Sequence, residues 1–257
     1  MKIVKKFKGI AYSTAKLLGY EVVPSWRFET LGFSTLLADL FRRNKINYVL
    51  DVGANTGQYV RFLRQFVGYE GRVISFEPVS HCYQSLIKKA ELDPLWNTCQ
   101  FALGKENSTQ KINVMKSDRF SSFLQPTHKF IDGLQDLNVI DHTEEIIVKS
   151  LDEVLPEMKI DGVKEAIYLK LDTQGYDMQV IAGAKNSLQN IWGLQTEVSV
   201  LNIYEGMPSI EEVIVEMRNL EFDLVGMFPV NHDRNLRVIE YDAVFINRRR
   251  MNGPVSA

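Results

Sequence analysis

The chain of 257 residues is 45% hydrophobic and 24% charged, which fits one large globular domain with a substantial core. A formal net charge of −2 and a pI of about 6.1 lack the basicity of a nucleic-acid-binding domain, so no nucleic-acid partner is expected. Two cysteines, Cys82 and Cys99, are too few for a disulfide framework and fit reduced thiols in a cytoplasmic protein.

The chain begins "MKIVKKFKGIAYSTAKLLGY", basic and briefly apolar. Lys16 interrupts the apolar part and no small-residue cleavage site follows cleanly, which argues against a signal peptide. No run reaches the roughly 18–20 apolar residues that span a bilayer, so no transmembrane segment is expected. Lys2, Lys5, Lys6 and Lys8 read as a solvated helix face in preference to a contact with an anionic membrane surface. The arm leaves a homodimer open. Residues 33–43, "FSTLLADLFRR", read as a helix, so residues 1–45 form an N-terminal helical extension. Residues 46–250 form the main domain and residues 251–257 a tail.

From position 47 a regular alternation sets in. Strand candidates are "YVLDV" (48–52), "RVISFE" (72–77), "CQFAL" (99–103), "AIYLKLD" (166–172), "LQTEVSV" (194–200), "FDLVGMF" (222–228) and "AVFIN" (243–247). Between them, residues 57–66, 80–90 and 209–220 carry apolar positions at helical spacing, the last opening on a capping box, Ser209 and Glu212. Strands alternating with helices predict an α/β fold, a mostly parallel sheet covered on both faces. Residues 105–165 break the rhythm: "QKINVM" and "EEIIVKSL" flank a polar loop of about 25 residues, an insertion long enough for a functional lid.

"DVGANTG" follows the first strand, where open α/β sheets bind ligands. Gly53 and Gly57 permit tight turning, and the helix starting near Thr56 aims free N–H groups at an anion. Asn55 replaces the second glycine of a dinucleotide loop and compromises the phosphate contact, although asparagine tolerates the left-handed turn. Asp51 would repel a diphosphate but suits an ammonium group. Glu77 ends the second strand 20 residues after Gly57, followed by Pro78, and an acid there can accept from both ribose hydroxyls. An ammonium, a carboxylate, a ribose and no phosphate describe S-adenosylmethionine (SAM). An NAD-linked oxidoreductase is disfavoured by the same residues, and a plain strand-to-helix turn is the reading of the loop taken alone.

Four stretches carry a more specific likeness: "VLDVGANTGQY", "GRVISFEP", "YLKLDTQGYDMQVIAGA" and "LQTEVSVLNIYEGMPSIEEV". Together, over about residues 47–247, the chain resembles the FkbM-type family of SAM-dependent methyltransferases. The resemblance implies a Rossmann-like seven-stranded methyltransferase sheet whose last strand, "EYDAVFINR", is antiparallel. It implies that Asp51, Gly53, Asn55, Gly57 and Glu77 line the SAM site, with Pro78 and Ala102 at the adjoining strand ends and Ser121 and Ser122 at its edge. It further implies an O-methyltransferase acting on a sugar hydroxyl of a glycan, a glycolipid or a glycosylated natural product. Many members carry "KIDVEGAE" where this chain has "KLDTQGYD", so Gln174 stands in place of a glutamate. A non-catalytic module that keeps the fold as a binding or scaffold platform is the alternative of another class.

Methyl transfer to a hydroxyl needs collinear positioning and removal of a proton. Asp172, at the end of the fourth strand candidate, has three competing roles: general base, metal ligand, or an acid holding SAM or the loop. Glu197 on the neighbouring strand is a second candidate, since an acid inside a buried strand needs a partner. Magnesium bound between the two acids is possible, and a metal-free route is favoured, with no metal ligand assigned. Lys170 lies on the same strand face as Asp172 and reads as a structural ion pair, while Asp177 reads as a helix cap. His81, His128, His142 and His232 fit no metal-ligand spacing; the last three are loop bases only as an alternative to plain exposure, and His232 joins the candidate catalytic set. Tyr204 and Glu205 fall at the same end of the sheet, near the expected acceptor.

Overall fold

The computed structural model describes residues 14–15, 17–20, 22–127 and 138–251. His128, the lysines at positions 2, 5, 6, 8 and 16, and tail residues 252–257 lie outside them. The strands are β1 (Tyr48–Val52), β2 (Arg72–Phe76), β3 (Trp96–Cys99), β4 (Ala102–Leu103), β5 (Ser108–Met115), β6 (Ile140–Lys149), β7 (Ile167–Leu171), β8 (Ile191–Ser199), β9 (Phe222–His232) and β10 (Val238–Asn247). The helices are α1 (Phe28–Arg43), α2 (Gln58–Phe62), α3 (Ser80–Ala90), α4 (Leu151–Glu157), α5 (Asp177–Ala182) and α6 (Ile210–Asn219), with a short α7 (Arg248–Met251).

Seven strands form one sheet in the order β3-β2-β1-β7-β8-β10-β9. β10 runs antiparallel to both β8 and β9, and the ladders from β3 to β8 are parallel. This is the expected α/β fold with its last strand antiparallel; that strand lies inside the sheet, and β9 forms the edge. β1 and β7 are nearly continuous apolar runs because helices cover both faces. On one face α1 buries Phe33, Leu37, Leu40 and Phe41 against Val49, Val73 and Tyr168. On the other, Leu151, Val180, Ile181, Val213 and Met217 pack on Ile74, Phe76, Leu169 and Leu194. Chain order reverses at β1 and β7, so the crevice beyond their carboxyl ends is the switch point where such sheets take ligands.

Three expectations are corrected. The helix expected over 33–43 begins at Phe28. The stretch expected as one strand over 99–103 divides: Cys99 ends β3 beside β2, and Ala102 starts β4 in a second sheet of order β4-β6-β5. Phe101 at the bend tilts onto Phe76, 5.5 Å between ring centres, so the apolar run turns a corner that its pattern does not reveal. The helix expected over 57–66 loosens at Leu63 into a π turn that ends at Gly68, φ 71°. The capping box is present: Ser209 accepts from the Glu212 N–H at 3.3 Å and its own N–H donates to Glu212 Oε2 at 2.8 Å. Ser209→Ala is expected to cost about 1 kcal/mol with an unchanged urea m-value, measured by equilibrium unfolding.

Candidate active site

A row of polar side chains crosses four buried strands beneath the crevice. Asp51 on β1 lies opposite Ser75 on β2 and Lys170 on β7, and Lys170 lies opposite Gln195 on β8. The Ser75 hydroxyl donates to Asp51 Oδ2 at 2.9 Å and accepts from Trp96 Nε1 at 2.9 Å. The Lys170 ammonium is 3.0 Å from Asp51 Oδ1 and 3.3 Å from Asp172 Oδ2, and it donates to the Gly53 carbonyl at 3.1 Å. Burial works against its charge, and Asp172 and Asp51 outweigh burial and keep it protonated. The structural ion pair expected of Lys170 is thus present.

Above this row the chain turns through Gly53, φ 74°, Asn55, φ 48°, and Gly57, φ 86°. A Cβ on Gly53 would meet the Asp172 carbonyl at 1.9 Å, and one on Gly57 would meet the Trp96 ring at 2.5 Å. Glycine is therefore dictated twice, by φ and by space. The turn closes on Glu77: Asn55 N–H donates to Oε2 at 2.7 Å and Val79 N–H to Oε1 at 2.9 Å. Burial raises Glu77 to about 7 against those two donors.

A cavity of about 840 Å³ opens at this end of the sheet. One half is walled by Gly53, Asn55, Glu77, Pro78 and Ala102. The other half carries four carboxylates, Asp172, Glu197, Glu240 and Asp242, among the aromatic rings of Phe33, Tyr59 and Phe228. Asp242 lies directly across the β8–β10 ladder from Glu197. Burial, then repulsion by Asp172, raises Glu197, and the same two causes raise Asp242 to about 7; burial raises Glu240 to about 7. Burial would raise Asp172 also, but the Lys170 ammonium overrides it and holds this acid ionised. The Gln174 amide, φ 53°, donates to Glu197 Oε2 at 2.8 Å and to Asp172 Oδ1 at 3.1 Å, with its Oε1 2.9 Å from the Tyr204 hydroxyl.

Residues 51–224 match the family model described as the methyltransferase FkbM domain. The chain belongs to this family of SAM-dependent methyltransferases. No curated protein matches it. Among solved structures it is similar to an FkbM methyltransferase from Methylobacillus flagellatus KT, at 14% identity and TM-score 0.47, covering 82% of this chain and 47% of the other. It thus spans about half the length of that protein. It is also similar to the METTL16 methyltransferase domain, at 9% identity and TM-score 0.48, over 88% of this chain and 70% of the other. A third is Aeropyrum pernix fibrillarin, with natively bound S-adenosyl-L-methionine, at 9% identity and TM-score 0.42, over 82% and 74%.

Of the residues that the FkbM resemblance implies at the cofactor, Gly53, Asn55, Glu77, Pro78, Ala102, Ser121 and Asp172 line the cavity. Asp51 and Gly57 are not among its walls. Asp51 is fully buried, and the ammonium it meets is that of Lys170, while Gly57 backs onto Trp96. Glu197 and His232 do reach the cavity, His232 from its exposed rim. His142 is exposed on β6 with Asp141 and Glu144, away from the cavity. Asp177 is not a helix cap: it accepts from the Thr173 N–H at 2.8 Å and the Thr196 hydroxyl at 2.5 Å, tying the turn after β7 to β8. Tyr204 stands behind Gln174, and Glu205 is exposed off the cavity.

The insertion supplies Ser117, Asp118, Arg119, Phe120 and Ser121 to the cavity wall. Its latch is Asn55, whose Nδ2 donates to the Asp118 carbonyl at 3.0 Å. His81 Nε2 approaches Asp118 Oδ1 at 2.7 Å and Cys82 Sγ at 3.4 Å, a grouping that sequence spacing did not reveal. Burial pushes the Cys82 thiol up. Glu240 and Asp242 were missed by sequence reasoning, although two acids at i and i+2 inside a buried strand carry the same signal as Glu197. Lys170→Met is expected to destabilise the fold by about 3–5 kcal/mol in urea unfolding, because it leaves Asp51 charged and buried, and adding Asp51→Asn should restore much of the loss.

Proposed function

We propose that the chain is an O-methyltransferase that binds SAM across this cavity and methylates a sugar hydroxyl of a glycan, a glycolipid or a glycosylated natural product. The observation that carries the reading is Glu77, a buried carboxylate on the cavity wall at the tip of β2, fixed by two backbone N–H groups. Its oxygens fit a ribose diol, and the glycine turn beside it fits an amino-acid end. When bound, SAM supplies an electrophilic methyl carbon on a sulfonium.

Asp172, held ionised by Lys170, faces the cavity and accepts the proton of the acceptor hydroxyl as that oxygen attacks. Glu197 retains its own proton and does not compete for the role. Glu240 and Asp242 offer further acceptors to neighbouring hydroxyls, and Phe228 and Tyr59 offer apolar faces to a sugar ring. The pair Asp172 and Glu197 does not fit magnesium, because an amide N–H of Gln174 points between them where a cation would need oxygen. We therefore favour metal-free catalysis, in which a chelator should leave turnover unchanged.

Glu77→Ala should abolish SAM binding in isothermal titration, and tight binding by that variant would contradict the assignment. The pH dependence has a definite sign. Burial raises the folded carboxyl to about 7, so folding favours its protonated form and the stability it contributes falls as pH rises toward 7. A ribose bound to the ionised form pulls the group back, so SAM affinity should rise between about pH 6 and about pH 8, and Glu77→Gln should flatten that rise. Asp172→Asn should lower turnover far more than SAM affinity. Turnover within a few-fold of the parent would make Asp172 structural. Candidate glycans incubated with SAM should gain one methyl group in mass spectrometry.

A further inference from the structure

The acid-rich half of the cavity holds more negative charge than the neighbouring cation answers. The Lys170 ammonium is already shared between Asp51 and Asp172. Among the described residues no ion pair reaches Glu197, Glu240 or Asp242. Each is held by a neutral donor instead: the Gln174 amide on Glu197 Oε2 at 2.8 Å, the Ser199 hydroxyl on Glu240 Oε1 at 3.0 Å, and the Gln195 amide on Asp242 Oδ1 at 3.3 Å. The Tyr59 hydroxyl donates to Gln195 Oε1 at 2.7 Å and so orients that amide. Glu240 is only 4% exposed and lines the cavity, yet its Oε2 accepts no hydrogen bond among the described residues. Asp242 Oδ2, on the same wall, accepts none either.

Strand geometry sets these two free oxygens side by side. Glu240 and Asp242 are two residues apart on β10, so they share a face of the sheet, roughly 7 Å apart along the strand. Phe228 lies across the β9–β10 ladder from Asp242, and its ring tilts on Phe33 with 5.0 Å between centres. An aromatic wall therefore stands beside the acids. Burial raises both carboxyls to about 7, a cost that neutral amides would avoid if hydroxyls were the only groups to be met. A cationic partner offsets that cost. The acids do not converge on a metal position: among the described residues no three of them bring oxygens within 4.8 Å of one another, whereas a hard ion gathers about six oxygens around itself. Spaced carboxylates with aromatic faces between them suit an ammonium on a carbon skeleton.

We propose that Glu240 and Asp242 recognise an ammonium group, so that the sugar bound in this half of the cavity carries a free amine. The ammonium donates to Glu240 Oε2 and Asp242 Oδ2, and Phe228 packs on the sugar beside it. That this amino sugar is the methyl acceptor rests on the methyl-transfer reading; the recognition of its amine does not.

The test titrates the whole chain, without SAM, with methyl hexosaminides whose amine is at C2, C3, C4 or C6. Each is compared with its N-acetyl form and with the parent hexoside that has a hydroxyl in place of the amine. At least one free amine is expected to bind about ten-fold or more tightly than both of its neutral counterparts. Glu240→Gln combined with Asp242→Asn should erase that preference, and each single substitution should reduce it. Thermal unfolding should be no lower in these variants, since each replaces a buried acid by its neutral isostere; if the double variant fails to fold, the single variants carry the comparison. Equal binding of the amine and hydroxyl forms, no binding of any form, or a preference that survives the substitutions would overturn the proposal. So would displacement of the amino sugar by calcium chloride at matched ionic strength. Methyl transfer is scored separately: a preference for the amine with no methyl gained would uphold this proposal and sink the other, and methylation only of sugars without an amine would do the reverse.

Discussion

The site depends on one buried ion pair, Lys170 with Asp51. An ammonium and a carboxylate at the centre of a sheet carry a desolvation cost that is offset only by close geometry and further hydrogen bonds. Both are provided here by strand register: Ser75 on one side of Asp51 and Lys170 on the other are its ladder neighbours. The same ammonium then reaches the Gly53 carbonyl and Asp172, so a single cation fixes the backbone of the turn and the charge of the acid opposite it. The glycine turn and the acid opposite it are thereby held in one geometry, the kind of preorganisation that the proposed in-line transfer requires.

Around that cation the acids take different states because their surroundings differ. Asp172 is ionised next to Lys170, while Glu197, across the ladder from Asp242 and near Asp172, is pushed toward its protonated form. Gln174 makes this arrangement tolerable. A glutamate at that position would place a further negative charge against two carboxylates, whereas the amide donates to both and turns its oxygen to Tyr204. The departure from the common family motif thus suits a crowded acidic wall, and it puts a hydrogen-bond donor where a metal would otherwise be considered.

Much of this was legible in the sequence where local chemistry decides the structure. Gly53, Asn55 and Glu77 announce their turn through φ preference and spacing, and the capping box at Ser209 announces its helix. What the sequence hid depends on register between distant strands. Nothing local in "LDVG" says that the Asp51 charge is already satisfied by Lys170, 119 positions away, instead of by a ligand. Nor does "EYDAVFIN" say that its Asp242 faces Glu197, or "SDRFSS" that its backbone latches onto Asn55.

The most direct measurement is a crystal structure of the protein with S-adenosylhomocysteine, the product left after methyl transfer. The account predicts the ribose hydroxyls on the Glu77 carboxylate, the amino-acid end at the Gly53–Asn55 turn, and the sulfur directed at Asp172, with the Asp51–Lys170 pair still closed. A ligand bound away from Glu77, or one whose ammonium displaces Lys170 from Asp51, would contradict it.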